Sequence, residues 1–211
     1  MKCILCNSPT NFFAEEREIS YYQCENCEAV VMDKADYVTK AAEQERYEEH
    51  NNDVTDPRYQ RFVQPVVDAV LKYTDTSARG LDFGAGTGPV ITKMLREQEY
   101  EMFLYDPFFW NKPENLEKKY EFIVCCETME HFHQPREEFE KLHSLLEEDG
   151  YLFCKTKLYS DKVLFSGWRY AHDQTHVIFY TKNSLEWISE NIGFDLLYAG
   201  DDVIIFKKHN I

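Results

Sequence analysis

No apolar run in the 211 residues approaches the ~20 that a membrane-spanning helix needs. The N-terminus, MKCILCNSPTNFF, lacks the apolar stretch and the small-residue cleavage site of a secretory leader. The expected compartment is therefore the cytoplasm, with no membrane as a partner. Basic residues are in short supply: 23 Lys and Arg stand against 38 Asp and Glu, a net charge of −15. So acidic a surface repels phosphate backbones, which disfavours nucleic acid as a partner, and the excess charge serves solubility. Hydrophobic content of 44% with 29% charged residues excludes both a disordered chain and a fibrous one. What remains is a globular protein long enough for one α/β domain and a small accessory module.

Seven cysteines in a chain without a leader point away from a disulfide framework. Cys125, Cys126 and Cys154 lie in apolar stretches, where a thiol behaves as a small hydrophobe. The other four form two CxxC pairs, Cys3 with Cys6 and Cys24 with Cys27, separated by 17 residues. Each pair can turn back on itself and present two thiolates, and four thiolates close a tetrahedral Zn²⁺ site with no position open for catalysis. Between the pairs, REISYYQ has the aromatic and β-branched content of a strand, as in a zinc ribbon. A segment of about 30 residues cannot fold on its own core, so the metal is expected to stabilise it. We place this ribbon at residues 1–33, as a structural zinc module whose surface could cover a substrate or receive a protein partner.

Residues 34–72 begin as a charged helical stretch, break at HNND and TDP, and resume as a helix bearing Arg61, Phe62, Val66, Val67, Val70 and Leu71. Pro65 is expected in the first turn of that helix or at a kink. Arg46, Tyr47, His50 and Asn51 form a polar group that reads either as a solvated helix end or as part of a site wall. This segment is a helical linker or lid ahead of a domain spanning 73–211.

That domain opens with the most informative stretch, GLDFGAGTGPVITKML. An apolar strand ends at Leu81-Asp82-Phe83, the loop Gly84-Ala85-Gly86-Thr87-Gly88 follows, and a helix starts near Pro89. Glycines permit the tight turn and let backbone approach a ligand where a Cβ would collide. Their alternate spacing differs from GxGxxG, and no Lys-Ser/Thr follows as in a phosphate-binding P-loop. EMFLY reads as the next strand, and Asp106 closes it 22 residues after Gly84, where a carboxylate can accept both hydroxyls of a ribose.

LDFGAGTG, with Asp82 two residues ahead of the first glycine, resembles motif I of the class I S-adenosylmethionine methyltransferases. The resemblance covers roughly residues 60–208. It implies a Rossmann-like α/β fold: a doubly wound, mostly parallel sheet closed by a terminal antiparallel hairpin. It also implies S-adenosylmethionine held by Asp82, Gly84, Ala85, Gly86, Gly88, Tyr105, Asp106, Pro107 and Glu127, with Asp82 at the amino group and Asp106 at the ribose. FIVCCETMEHF resembles the fourth strand and its loop, LEEDGYLFCKTK a helix end, turn and fifth strand. SLEWISENIGFDLLYAGDDVIIFKK resembles a helix and two strands joined at Gly200-Asp201. YDPFFW, ETMEHF and WRYAHDQTHVIFYT together resemble a compact bacterial subgroup carrying an N-terminal zinc ribbon. One departure stands out: only 15 residues separate Asp106 from Phe122, where the family fits a helix and a third strand. The third strand is expected to be missing or reduced. Phe108, Phe109 and Trp110 are left either to cover the adenine or to fill the core.

A sulfonium donor already carries the reactivity, so the protein must align the acceptor and, for a hydroxyl, remove a proton. Glu127, Glu130 and His131 share one face at i, i+3 and i+4, and His176 is placed to return to the same opening. The candidate catalytic residues are Glu130, His131 and His176. Their chemistry stays open between a base or substrate contact, a structural role, and a divalent Mg²⁺ or Mn²⁺ site with Glu127 as a fourth ligand. The pattern resembles the metal site of small-RNA 3′-end 2′-O-methyltransferases. His172 and Asp173 read as turn residues. The leading expectation is methyl transfer to a small-molecule or sugar- or lipid-linked acceptor. The alternatives are a metal-assisted RNA 2′-O-methyltransferase and a non-enzymatic scaffold acting through the ribbon.

Overall fold

Alternating apolar strands and amphipathic helices gather into two sheets in the computed structural model, which describes residues 1–49, 52–200 and 203–209. Thr10–Glu16 (β1), Ile19–Cys24 (β2) and Val30–Met32 (β3) form an antiparallel meander. β1 and β2 are joined by only Arg17 and Glu18, whose φ of 53° and 67° supplies the left-handed backbone of a tight hairpin turn. The strand expected over REISYYQ therefore starts two residues late, at Ile19. Lys40–Glu49 (α1) is the charged helix, and His50 and Asn51 lie outside the described residues.

Pro57–Tyr73 (α2) is capped by Asp56, whose side chain accepts the Arg58 N–H, with Pro57 in the first turn. Pro65 sits in the helix interior. There its missing N–H removes one backbone bond.

The remaining elements are Arg79–Phe83 (β4), Val90–Arg96 (α3), Glu101–Tyr105 (β5), Tyr120–Cys126 (β6) and Pro135–Leu145 (α4). Leu146–Lys155 (β7), Ile178–Phe179 (β8), Lys182–Ile192 (α5), Phe194–Ala199 (β9) and Ile204–Lys208 (β10) complete them. The main sheet has the order β5-β4-β6-β7-β10-β9. β5, β4, β6 and β7 run parallel, and β10 is antiparallel to both β7 and β9. This is the expected sheet with its terminal hairpin; Asp201 lies outside the described residues. Between β5 and β6 the described residues hold only a short 3₁₀ turn, Pro113–Leu116, so β5 is the sheet edge and no third strand intervenes.

Side chains alternate across the sheet with period two, and the core divides accordingly. Phe122, Val124 and Phe153 pack with Val66, Val67 and Val70 of α2 and Ile91 and Leu95 of α3. Ile123, Cys125, Leu152 and Cys154 face the other way, in one cluster with Phe139 of α4 and Leu185 of α5. Cys125 and Cys154 are fully buried, paired across β6 and β7, and fill core positions as small hydrophobes do. That second cluster continues without a break into Tyr21, Val30, Val31 and Met32 of the N-terminal sheet. β8 also hydrogen-bonds β3, so the meander is completed by a strand from the far end of the chain. No helix among the described residues is long and apolar enough to cross a membrane.

Candidate active site

The connections leaving β4 and β6 run to opposite sides of the sheet, which opens a crevice at the carboxyl ends of the parallel strands. A cavity of about 830 Å³ lies there. Asp82, Gly84, Ala85, Gly86, Gly88, Tyr105, Asp106 and Pro107 line one part of it. Glu127, Glu130, His131 and His176 line another. The residues singled out from the sequence for S-adenosylmethionine and for catalysis thus line one chamber.

The loop after β4 is fixed by sterics and by two clamps. Gly84 has φ +79°, and a Cβ there would fall 2.2 Å from Cγ2 of Thr128. A Cβ on Gly88 would lie 1.8 Å from the backbone oxygen of Asn52, which closes over the loop from the segment before α2. Oδ2 of Asp106 accepts the Gly86 N–H at 3.0 Å. Its Oδ1 accepts the N–H of Phe108 at 2.9 Å and of Phe109 at 3.0 Å. From the other side, the Trp110 indole donates to the Gly86 carbonyl at 2.8 Å. None of the three aromatics is a core residue: all are half-buried, Phe108 and Phe109 line the cavity, and Trp110 tethers the loop.

Asp82 is buried at 4% exposure and accepts a bond from Thr92 Oγ1 at 2.7 Å. Burial pushes its carboxyl up to about 6, with Thr92 opposing and Asp106 adding to the rise. A carboxyl raised on folding binds more protons in the native state, so its contribution to stability falls as pH rises from about 4 to 6. Asp82→Asn is expected to be more stable than the parent by up to ~3 kcal/mol above pH ~6, with the gain vanishing near pH ~4. Urea unfolding of both proteins across that range measures it; a difference that does not change with pH would show that Asp82 is not the titrating group.

β6 delivers the polar group. Glu127 takes a positive φ of 48°, and the short 3₁₀ turn Met129–His131 follows. Glu130 is fully buried; the Tyr170 hydroxyl donates to its Oε1, while Oε2 has no hydrogen-bond partner. Burial and the nearby Glu127 charge push the Glu130 carboxyl up to about 8. Glu127 is raised by burial against the opposing pull of Lys155 and Lys157. His131 places Nδ1 3.0 Å from the Thr175 carbonyl, and His176 places Nδ1 2.7 Å from the Tyr170 carbonyl. A carbonyl only accepts, so each Nδ1 carries a proton, and in the neutral form of either ring the basic lone pair is on Nε2. The two rings meet edge to face, 4.7 Å apart. One donor atom each from Glu130, His131 and His176 falls within 4.8 Å of the others; Glu127 stands outside this group.

α1 covers the mouth through Lys40, Glu43 and Tyr47, and is anchored where Arg46 donates to Oδ2 of Asp173 at 3.0 and 2.8 Å. Of the polar group predicted there, Tyr47 reaches the cavity with its ring 5.1 Å from that of His131. Asp173 also caps its own turn through Thr175, and His172 ends the 3₁₀ turn Arg169–His172. Sequence reasoning missed Tyr170, Thr128, Asn52 and the Trp110 tether. Each matters through a contact between segments distant in the chain, and no spacing signals it.

At the other end, Sγ of Cys3 lies 3.6 Å from that of Cys27, and Sγ of Cys6 lies 3.3 Å from that of Cys24. All four donors lie within 4.8 Å of one another. Tetrahedral Zn–S bonds require sulfurs ~3.8 Å apart, so the set fits zinc with little movement. The N–H groups of Asn26 and Cys27 already point at the Cys24 sulfur, at 3.4 and 3.5 Å, as they would toward a thiolate.

Residues 55–199 match the methyltransferase domain family. The chain belongs to that family. No curated protein matches the methyltransferase in sequence. Among solved structures it resembles the Burkholderia thailandensis 1,6-didemethyltoxoflavin-N1-methyltransferase with bound 1,6-didemethyltoxoflavin and S-adenosylhomocysteine. The two share 13% identity and a TM-score of 0.57 over 96% of this chain and 100% of that one. An O-methyltransferase family protein from the same organism shares 14% identity with a TM-score of 0.53, over 79% of this chain and 62% of that one. CalO1 of calicheamicin biosynthesis, in its S-adenosylhomocysteine-bound form, shares 11% identity with a TM-score of 0.51, over 72% and 55%. The methyltransferase thus spans less than two thirds of some relatives it resembles. At these identities the likeness is one of fold.

Proposed function

We propose that the methyltransferase moves the methyl group of S-adenosylmethionine to a small-molecule acceptor, with zinc structural in the N-terminal ribbon. The observation that carries this reading is the single chamber. The Gly84–Gly88 loop and Asp106 line one part of it, and the Glu130, His131 and His176 group another. Asp106 would receive the ribose hydroxyls, Asp82 the amino group, and the loop backbone, Tyr105, Pro107 and Glu127 the rest of the cofactor. The cofactor supplies an electrophilic methyl on a sulfonium. The protein's own part is to align the acceptor and take its proton at a histidine Nε2. Tyr37, Tyr47, Phe108 and Phe132 line the same chamber and suit a flat or partly apolar acceptor, in keeping with the 1,6-didemethyltoxoflavin bound by one structural relative. A net charge of −15 weighs against RNA.

A second reading rests on Glu130. A buried carboxyl oxygen without a partner, beside two imidazoles each able to offer a ring nitrogen within 4.8 Å, is a donor set for a divalent cation. Two nitrogens and one oxygen favour Mn²⁺ or a later transition ion over Mg²⁺. Such an ion would lower the pKa of an acceptor hydroxyl.

Calorimetric titration with S-adenosylmethionine, S-adenosylhomocysteine and NAD⁺, followed by label transfer to an acceptor panel with and without Mn²⁺, tests both readings. Micromolar binding of the first two and none of NAD⁺ is expected. Absence of binding overturns the function, and transfer unaffected by Mn²⁺ and by chelators overturns the second reading.

A further inference from the structure

The segment between β7 and β8 carries His176 into the chamber and sets Tyr170 against Glu130 behind it. Its regular structure is a single 3₁₀ turn, Arg169–His172, so its shape is set by what it leans on. It leans on the N-terminal sheet. Oε2 of Glu16, at the end of β1, accepts the Gly167 N–H at 3.1 Å, and Oε1 lies 3.4 Å from Nε2 of His172. The Tyr21 hydroxyl of β2 donates to the Ala171 carbonyl at 3.3 Å. The Phe165 ring packs against Phe13 of β1 and Tyr21 of β2, with centroids 5.3 and 4.9 Å apart.

Beyond His176 the attachment becomes a sheet. Met32 donates its N–H to the Val177 carbonyl at 3.0 Å, and Val30 and Val31 pair with Phe179 and Ile178. Val177 in turn donates its own N–H to the Glu130 carbonyl at 2.9 Å. One residue, Val177, therefore links β3 on one side to Glu130 on the other and fixes His176 beside it. The contacts that shape the Gly84–Gly88 loop come instead from Asp106, Trp110, Thr128 and Asn52, none of which belongs to the N-terminal sheet.

We propose that the N-terminal sheet is the template that positions Tyr170 and His176, with Glu16, Tyr21 and Met32 as its positioning residues, so that it governs turnover and leaves cofactor affinity alone. The proposal deepens the methyl-transfer reading and rests on it. Cys24 ends β2 and Cys27 lies just ahead of β3, so zinc at the four thiols would brace the strand that holds Val177. A displacement of about 1 Å in a reacting group is enough to cost ~100-fold in rate.

The test uses the full chain in three forms: a Glu16→Ala/Tyr21→Phe double variant, the conservative Glu16→Gln, and wild type chelated and then reloaded with Zn²⁺. For each, S-adenosylmethionine affinity, kcat and backbone amide exchange are measured. The double variant and the chelated protein are expected to hold cofactor affinity within ~2-fold while kcat falls ~10–100-fold. Amides of 167–179 should exchange faster while those of 84–106 do not change. Glu16→Gln, which keeps an acceptor for Gly167, and zinc reloading should both restore kcat. Loss of cofactor affinity in step with kcat, or unchanged exchange at 176–178 in both the double variant and the chelated protein, overturns the proposal. If wild type binds the cofactor yet methylates no acceptor, the enzymatic reading fails on its own, and the exchange pattern still decides whether the sheet holds this segment.

Discussion

Asp106→Ala is expected to lose ~100-fold or more of its affinity for S-adenosylmethionine while keeping its fold. The carboxylate does two jobs that alanine ends together. It would bond the ribose hydroxyls, and a hydrogen bond to a charged group contributes ~1.5–3 kcal/mol. It also holds the N–H groups of Gly86, Phe108 and Phe109, so its removal lets the glycine loop and the aromatic wall drift apart. Asp106→Asn keeps an acceptor for Phe108 and Phe109 and should fall between the two. Calorimetry with the cofactor reads the effect directly, and circular dichroism checks the fold. An alanine variant binding as tightly as wild type would remove Asp106 from the cofactor site.

The second large effect is expected at the histidines. His131→Ala and His176→Ala should each lower kcat by ~10²–10⁴ with cofactor affinity unchanged, since general-base catalysis contributes on that scale. The double variant should be no worse than the weaker single one, because groups that act as a unit do not add. Glu130→Gln separates the two chemistries. If a divalent ion is held, the glutamine variant loses Mn²⁺ binding by paramagnetic resonance together with its activity. If a histidine alone takes the proton, it keeps much of its kcat. Histidine variants with wild-type turnover would mean that the group at Glu130 is structural.

Much of this site is legible in the sequence. The strand–loop–helix around Gly84 and the acid at Asp106 are local, and the rules that connect such residues act over one βα unit. The missing third strand followed from a residue count, because 15 residues cannot hold a helix and a strand. The i, i+3, i+4 reading brought Glu127, Glu130 and His131 to one opening, although Glu127 then stands apart from the donors of Glu130, His131 and His176.

The remainder depends on contacts between distant parts of the chain. The turn at Arg17-Glu18 carries neither the glycine nor the asparagine that marks a tight hairpin, so β1 was invisible. β8 is two residues long and is a strand only because β3 lies beside it. Tyr170, which bonds Glu130 from a segment 40 residues away, has no pattern to announce it. Pro65, placed at a first turn or a kink, is carried inside α2 because the burial of Val63, Val66, Val67 and Val70 outweighs one lost backbone bond.

The pairing of Val30 with Phe179 also constrains how the chain is made. The four cysteines and β3 leave the ribosome before β8, which is synthesised about 150 residues later, a delay of roughly 8–30 s at ~5–20 residues per second. Through that interval β3, paired with β2 on one side, leaves open on the other an edge of residues that end up fully buried. A ribbon that captures its ion at once would present a short, rigid edge during the wait, and a ribbon without metal would present a loose apolar one. If the four thiols hold zinc as proposed, its availability during translation is expected to govern how much chain escapes edge-to-edge aggregation.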